Sequence, residues 1–168
     1  MKQWLPILAV LALMLLKNKK AGTTLSRAGL EHIKSEEQFS PTRYVLFGVP
    51  HIGYGHVIQE GETFPPIISE DEGEKLLFQD LKPAIQAINT YVSVPLTQNQ
   101  FDALASFIYN VGPAAFAEST LLRLLNEGDY NQAAQEFGQW VKASINGEKQ
   151  TVPGLVTRRE FEKRMFLA

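Results

Sequence analysis

The chain has 168 residues, of which 45% are hydrophobic and 20% are charged, a balance that is typical of one globular domain with a buried core. Its formal net charge of -2, without a stripe of lysine and arginine between aromatic residues, argues against a nucleic-acid partner. The sequence contains no cysteine, which excludes disulfides and thiol catalysis but does not identify a cellular compartment. It also has no phosphate-binding loop and no cluster of metal-ligand residues, so we expect neither a cofactor nor a metal.

Residues 1–20 differ from the rest of the chain. An apolar run from Trp4 to Leu16 follows Lys2 and is closed by three lysines within residues 17–20. This run is shorter than the roughly 20 residues that cross a bilayer comfortably, and it is closer in length to the hydrophobic part of a signal peptide. No clear small-residue cleavage site follows it.

We therefore interpret residues 1–20 as a signal anchor that contacts the inner membrane through residues 4–16. A cleaved signal peptide and a soluble amphipathic or buried helix are the alternatives. Residues 21–24 are predicted to be a linker, and residues 25–168 a folded domain.

The domain is predicted to begin with a helix that ends in a carboxylate. Apolar residues recur at helical spacing from Leu25 to Ile33, and Ser26 is a plausible N-cap. Glu37 would lie at or just past the end of this helix, where the helix dipole disfavours a negative charge. Such a place suits a general acid, which must hold a proton until it is needed.

A β-hairpin is predicted to follow Glu37. Two short β-prone runs are separated by Phe47–Pro50, which contains a glycine. Gly53 and Gly55 would let a ligand or another backbone approach closely. A hairpin packed beside the helix end would hold Glu37 against the wall of a groove.

Capping boxes predict where the later helices begin. In each, a Ser, Thr or Asp is followed three residues later by Glu or Gln: Ser69 with Glu72, Thr97 with Gln100, Asp129 with Gln132, and Thr157 with Glu160. Pro83 is expected to kink the first of these helices or to start a new one. Residues Ile145 to Val152 are predicted to form a loop.

Several motifs in order resemble the phage-type lysozymes, the T4 lysozyme family of glycoside hydrolase family 24. Glu37, Tyr44 seven residues later and the run Ile52–His56 resemble that family's active-site segment. The likeness continues through Leu96–Leu104, Tyr109–Gly112, Ser119–Leu122, Gly128–Tyr130 and Pro153–Arg159, and so covers about residues 25–168.

The resemblance implies an α+β, lysozyme-like fold, with a small N-terminal lobe that carries a β-hairpin and a mainly helical C-terminal lobe. It implies a monomeric endolysin that cleaves the β-1,4 bond between N-acetylmuramic acid and N-acetylglucosamine in the peptidoglycan glycan strand. Because many such endolysins carry an uncleaved anchor that later leaves the membrane, we expect export from the bacterial cytoplasm, tethering to the inner membrane and then release to the periplasm.

The expected catalytic residues depart from the family pattern. Members usually carry an Asp or Cys nine residues after the Glu and a Thr just before Ile-Gly-Tyr-Gly, where this chain has Leu46 and His51. We predict that Glu37 is the general acid and that His51 takes over work of the two missing residues. The alternative for His51 is a hairpin histidine bonded to backbone.

Two other functions remain open at this stage. In a lytic transglycosylase reaction, the 6-hydroxyl of the sugar attacks and Glu37 alone serves as acid and then base. A membrane-tethered glycan-binding protein without turnover would also explain the missing residues.

The resemblance also implies contacts around Glu37. Tyr44, Tyr54, Gly55 and Asn110 are expected to bind substrate, although Asn110 could be a plain helix cap. His56 and Asp71 are predicted to form a structural ion pair, because the fold places the histidine near the start of the following long helix.

Overall fold

The computed structural model describes residues 24–46, 48–145 and 147–168. The predicted anchor and most of the predicted linker lie outside the described residues. Within these ranges, no helix combines the length and apolar character needed to cross a membrane.

The described chain is a mixture of helices and small antiparallel sheets, which confirms the predicted α+β class. In chain order, its elements are α1 (Arg27–Glu37), β1 (Ser40–Leu46), β2 (Val49–Gly53), β3 (His56–Val57), α2 (Glu70–Tyr91), α3 (Gln98–Val111), α4 (Pro113–Ala117), α5 (Thr120–Asn126), α6 (Tyr130–Glu136), a 3₁₀ turn (Phe137–Gln139), β4 (Lys142–Ile145), β5 (Glu148–Thr151) and α7 (Pro153–Leu167).

Helix α1 is fixed at its first turn and ends at the predicted carboxylate. Ser26 is the N-cap, as predicted, and its hydroxyl accepts a hydrogen bond from the Gly29 amide at 3.1 Å. Asp102 of α3 in turn accepts hydrogen bonds from the Ser26 hydroxyl and, at 2.9 Å, from the Ser26 amide. Gln38 ends the helix with a φ of 56°, so Glu37 is its last residue.

The N-terminal sheet has the strand order β1-β2-β3 and is antiparallel throughout. Tyr44 lies opposite His51 and Leu46 lies opposite Val49, so these four side chains share one face of the sheet. The predicted connection of Phe47–Pro50 is too long. Because Val49 and Pro50 already belong to β2, the hairpin closes with a two-residue connection.

Helix α2 joins the two lobes. Its predicted capping box of Ser69 and Glu72 is present. The helix continues through Pro83 to Tyr91, so the prediction that a new helix starts at Pro83 is wrong. Pro83 is exposed, and water can therefore satisfy the carbonyl that its missing amide leaves without a partner.

Helix α3 is the centre of the main core. All residues from Phe101 to Ile108 are buried, and the predicted capping box of Thr97 and Gln100 starts the helix. Helices α2 and α4 to α7 pack around it and bury Leu121, Phe137 and Phe166 completely or almost so. This packing confirms the predicted helical C-terminal lobe.

Two predictions near the C-terminus are wrong. The predicted loop Ile145–Val152 contains most of a hairpin, β4 paired with β5, for which the sequence Asn146-Gly147 is a strong turn signal. Helix α7 begins at Pro153, because proline is favoured at the first helical position. Thr157 therefore lies inside the helix, where its hydroxyl donates to the Pro153 carbonyl at 3.3 Å.

Candidate active site

The Glu37 carboxylate lies where α1, the loop after β2 and α7 meet. Its side chain is 22% exposed, and its Oε1 accepts a hydrogen bond from Nη1 of Arg158 at 2.8 Å. Gly55 lies on the side of the second oxygen: a Cβ added to Gly55 would stand 3.9 Å from Glu37 Oε2. The carboxylate is thus held at one oxygen, and the other faces backbone that carries no side chain.

Arg158 is itself fixed by buried groups of the C-terminal lobe. Its Nε lies 3.3 Å from Oε1 of Glu162, and its Nη2 donates to the Ser106 carbonyl at 3.3 Å. Glu162 is fully buried and also accepts from the Ser106 hydroxyl at 2.7 Å, while Arg159 Nε lies 3.0 Å from its Oε2. The two adjacent arginines therefore pair with acidic groups near the lobe junction.

The pKa values of two groups in this network, Glu162 and Arg159, are shifted. Burial raises the pKa of the Glu162 carboxyl, which Arg159, Ser106 and Arg158 oppose. Burial likewise lowers the pKa of Arg159, and its guanidinium also packs 5.0 Å above the Phe107 ring. A cation pair around one buried carboxylate makes the support of Glu37 rigid and hard to rearrange.

Tyr44 and His51 form a stacked pair on the hairpin. Their ring centroids are 5.4 Å apart with an interplanar angle of 20°. Burial raises the pKa of Tyr44, and the negative charge of Glu37 adds to this effect. The hairpin therefore presents both predicted residues on one face of the sheet.

His51 is bonded to the backbone of the hairpin, which was the alternative to a catalytic role. This hydrogen bond fixes the tautomer of the ring. Nδ1 lies 2.9 Å from the Val49 carbonyl oxygen. Because a carbonyl can only accept, Nδ1 carries a proton, and in the neutral ring Nε2 then carries the lone pair. The backbone bond thus leaves Nε2 available as an acceptor.

Tyr109 is a neighbour of Glu37 that the sequence reading missed. Its hydroxyl donates to the Tyr54 carbonyl at 3.3 Å, which ties α3 to the residue before Gly55. Burial raises the pKa of this phenol well above its usual range, and the charges of Glu37 and Asp80 add to the effect. Its position directly before Asn110, in the motif that resembles the family, was the sequence signal that could have identified Tyr109 as a residue near the site.

The expectation that the Tyr54 side chain binds substrate is wrong. Tyr54 is only 3% exposed and packs in a small core with Leu30, Ile33 and Leu77. Its hydroxyl donates to Glu70 at 2.6 Å. An aromatic ring in the Gly-Tyr-Gly run is apolar enough to fill the core of a small lobe, so it points away from the site.

The predicted ion pair of His56 with Asp71 is also wrong. His56 Nδ1 lies 2.9 Å from Asp80 and its Nε2 lies 3.1 Å from Glu62. Asp71 stands in the first turn of α2, whereas Asp80 is nine residues further along, about 13 Å down the helix axis. The third turn of α2, rather than its start, passes beside β3.

Asn110 lies at the end of α3, is exposed, and accepts a hydrogen bond from Nη2 of Arg159 at 3.0 Å. Its amide N–H groups remain able to donate to a ligand. Between Gln38 and Gln59 the sequence has no Asp or Glu. Leu46, at the position of the family's Asp, is 48% exposed, so the hairpin offers His51 and no carboxylate as a second polar catalyst.

Comparison with known proteins gives a consistent picture. The family model described as phage lysozyme matches residues 34–162. The chain is 43% identical over 143 residues to the endolysin of Acyrthosiphon pisum secondary endosymbiont phage 1, covering 84% of this chain and 97% of that protein. It is 47% identical over 110 residues to the SAR-endolysin of Escherichia phage Mu, covering 63% of this chain and 62% of that one.

A solved structure agrees with the fold. The muramidase domain of SpmX from Asticaccaulis excentricus is 41% identical, with a TM-score of 0.79, and the match covers 86% of this chain and 98% of that domain.

Proposed function

Because this chain belongs to the phage lysozyme family, we propose that it is an endolysin, a muramidase that hydrolyses the β-1,4 bond between N-acetylmuramic acid and N-acetylglucosamine in peptidoglycan. The observation that carries this proposal is the Glu37 carboxylate, held by Arg158 at 2.8 Å at the junction of the lobes. A glycosidase needs an acid that is fixed in place beside the glycosidic oxygen.

Glu37 is the general acid in this proposal. Arg158 occupies Oε1, so the proton for the leaving oxygen is carried on Oε2, beside Gly55. When the bond between C1 and the glycosidic oxygen breaks, this proton moves to the oxygen and the sugar acquires oxocarbenium character. The absence of a Cβ at Gly55 leaves room beside the reacting atoms.

His51 handles the water in this proposal. Its Nδ1 is engaged by the Val49 carbonyl, and its Nε2 is the acceptor that can take a proton from a water molecule as that water attacks C1. Stacking on Tyr44 fixes the plane of the imidazole. Tyr44, Gly55 and Asn110 remain the proposed substrate contacts.

The proposed site of action is the periplasm, reached through a signal anchor at residues 4–16. The apolar run between lysines and the SAR-endolysin name of the relative from Escherichia phage Mu support this proposal. Membrane fractionation of cells that express the full chain tests it. Recovery of the protein only from the soluble cytoplasmic fraction would rule out export.

The decisive test is mass spectrometry of muropeptides released from peptidoglycan by the full chain. We expect new reducing ends from the wild type, a loss of at least about 100-fold for Glu37→Gln, and near wild-type activity for the neighbouring control Glu36→Gln. Products with anhydro ends would instead show that the enzyme is a lytic transglycosylase and not a hydrolase. No products at all would refute the enzymatic proposal and favour a glycan-binding protein.

A second variant isolates His51. We expect His51→Ala to reduce kcat by about 100-fold, as for the loss of a positioned base. His51→Gln keeps a polar side chain but cannot take a proton at neutral pH, and it should be similarly slow. An unchanged rate in either variant would remove His51 from the mechanism.

A further inference from the structure

Tyr109, near the end of α3 in the helical lobe, reaches into the small lobe. Its ring packs against a cluster of buried residues from α1, the β2–β3 turn and α2, namely Leu30, Ile33, Tyr54, Leu77 and Leu81. Its hydroxyl donates to the Tyr54 carbonyl at 3.3 Å. A phenylalanine would fill the same space in this core. The hydroxyl is therefore the part of the side chain that packing does not explain.

The carbonyl that Tyr109 contacts belongs to the peptide between Tyr54 and Gly55. Because a peptide unit is planar, fixing its carbonyl also fixes the direction of the Gly55 N–H and the place of the Gly55 Cα. Gly55 has a φ of 84°, and glycine restricts its backbone angles less than any other residue. The hydrogen bond from Tyr109 thus restrains a peptide whose rotation the glycine would otherwise permit.

This peptide lies beside the second oxygen of the proposed acid. A Cβ added to Gly55 would stand 3.9 Å from Oε2 of Glu37, the oxygen on which the proposed mechanism places the proton. A carbonyl oxygen turned toward Oε2 would accept that proton and compete with the glycosidic oxygen. The hydrogen bond to Tyr109 keeps the Tyr54 carbonyl on the side of α3 instead.

The same helix supports the first oxygen of Glu37 through Arg158. The Ser106 carbonyl accepts from Nη2 of Arg158 at 3.3 Å, and Nη1 of Arg158 donates to Oε1 at 2.8 Å. Ser106 and Tyr109 are three residues apart, so they lie on one face of α3. One face of this buried helix therefore supports both sides of the carboxylate, by way of Arg158 and Gly55.

We propose that Tyr109 is a positioning residue for the general acid, an inference that rests on the proposed function. Its hydroxyl sets the orientation of the Tyr54–Gly55 peptide, and that peptide leaves the Oε2 proton of Glu37 directed at the glycosidic oxygen. Tyr109 itself exchanges no proton with the substrate. Burial raises the pKa of its phenol well above the usual range, so the hydroxyl keeps its proton and remains a donor at neutral pH.

Tyr109→Phe tests the hydroxyl, because it keeps the ring in the small core. We expect kcat to fall about tenfold and KM to stay within about twofold of the wild type, since a group that orients the acid acts on the chemical step. Tyr130→Phe is the matched control. The Tyr130 hydroxyl also donates to a backbone carbonyl, that of Pro95 at 2.7 Å, but it joins α6 to the connection between α2 and α3. Its loss should leave kcat unchanged.

Combination with Gly55→Ala tests whether Tyr109 acts through this peptide. Both substitutions then disturb the same peptide, and their effects on kcat should not be independent. We expect Tyr109→Phe to cost about tenfold in the wild-type background and less than about threefold in the Gly55→Ala background. Effects that simply multiply would overturn the proposed route from Tyr109 to Glu37.

The Gly55 amide signal in ¹H–¹⁵N spectra reports on the hydrogen bond without any catalysis. Gly55→Ala identifies this signal, because it removes the glycine resonance. The Tyr54 carbonyl and the Gly55 nitrogen belong to one peptide unit, so the nitrogen shift responds to a hydrogen bond at the carbonyl. Tyr109→Phe should therefore move the Gly55 signal, and Tyr130→Phe should leave it in place.

The outcomes separate this inference from the proposed function. If the wild type is active and Tyr109→Phe has the same kcat, only the positioning role is overturned. An unmoved Gly55 signal in Tyr109→Phe also overturns it, because the hydroxyl would then not restrain the peptide. If the wild type cleaves no peptidoglycan, the proposed function fails, and the positioning role fails with it wherever the Gly55 signal lies.

Discussion

Arg158 donates to Oε1 of Glu37 at 2.8 Å, so a side chain of α7 holds a carboxylate carried by α1, 121 residues earlier in the chain. Arg158 is 7% exposed and is itself held by the fully buried Glu162. The N-terminal lobe therefore supplies the acid, and the C-terminal lobe determines its orientation. Correct closure of the two lobes is a condition for activity.

Arg158→Lys should separate geometry from charge. Lysine keeps the positive charge but cannot contact Glu37, Glu162 and the Ser106 carbonyl at once, because it lacks the guanidinium fork. We expect kcat to fall at least about tenfold, since a small misplacement of a catalytic group is costly. Steady-state kinetics with Arg164→Lys, an exposed position on the same helix, is the control.

The Arg158→Met variant should instead have a lower free energy of unfolding than the wild type. It leaves Glu162 buried with one cation in place of two, and breaking a buried pair costs about 3–5 kcal/mol. Urea denaturation measures this loss. If Arg158→Lys had wild-type kcat, the positioning role of Arg158 would be refuted.

Gly55 and Gly61 offer a matched pair of substitutions. Both have a left-handed backbone, with φ of 84° and 87°, so alanine should cost each about 1–2 kcal/mol of stability. A Cβ at Gly55 would contact Glu37 Oε2 at 3.9 Å, whereas a Cβ at Gly61 meets nothing within 4 Å. We therefore expect Gly55→Ala alone to lower kcat/KM, by about tenfold or more.

Equal activity losses in the two variants, measured well below their melting temperatures, would show that backbone strain and not the space beside Glu37 is responsible.

Local patterns in the sequence predicted the parts of the fold that depend on near neighbours. The predicted N-caps Ser26, Ser69 and Thr97 are confirmed, because each side chain accepts a hydrogen bond from the backbone amide three residues later. The position of Glu37 at a helix end followed from the same pattern. The family motifs then predicted the lobes that the structure shows.

Contacts between distant segments could not be predicted in the same way. The choice of Asp80 over Asp71 for His56 depends on where α2 crosses β3, and both residues lie on one helix. Tyr54 was assigned to substrate because it stands between two glycines, although its ring is needed in the core of the small lobe. The β4–β5 hairpin was predicted as a loop, although its two strands pair from Lys142 with Thr151 to Ile145 with Glu148.

His56 should make stability depend on pH. Burial alone would lower the pKa of His56, but hydrogen bonds to Asp80 and Glu62 outweigh it and raise the pKa above the ordinary value of 6.5. The pKa of His56 is therefore higher in the folded than in the unfolded protein. The stability that His56 contributes is complete below about pH 6.5 and is lost as the pH rises through the folded pKa. Burial and Glu62 raise the pKa of Asp80 while His56 opposes this, so Asp80 depends on the same partner.

We expect His56→Asn to destabilise the protein by about 2 kcal/mol at acid pH and by less at alkaline pH. Asp80→Asn should remove most of the pH dependence while leaving the ring in place. Urea denaturation at a series of pH values measures both, and a loss for His56→Asn that does not change with pH would contradict the ion-pair assignment.

His32 should have the opposite pH dependence. It is buried on α1, its Nε2 has no hydrogen-bond partner among the described residues, and its ring stacks on Phe161 with centroids 4.0 Å apart. Burial lowers the pKa of His32; Glu36 on its own helix opposes this, and Arg158 on α7 adds to it. Since the folded pKa is the lower one, the unfolded chain takes up the proton first, and stability falls as the pH drops below about 6.5.

His32→Phe tests this directly, because a phenyl ring keeps the stack on Phe161 and has no nitrogen to satisfy. We expect the variant to be more stable than the wild type, by about 1 kcal/mol at neutral pH, with a margin that grows as the pH falls. Thermal unfolding from acid to neutral pH measures the margin for this variant and for His56→Asn. The two slopes should have opposite signs, and a margin for His32→Phe that shrinks in acid would mean that His32 is protonated in the folded protein, with Glu36 as its partner.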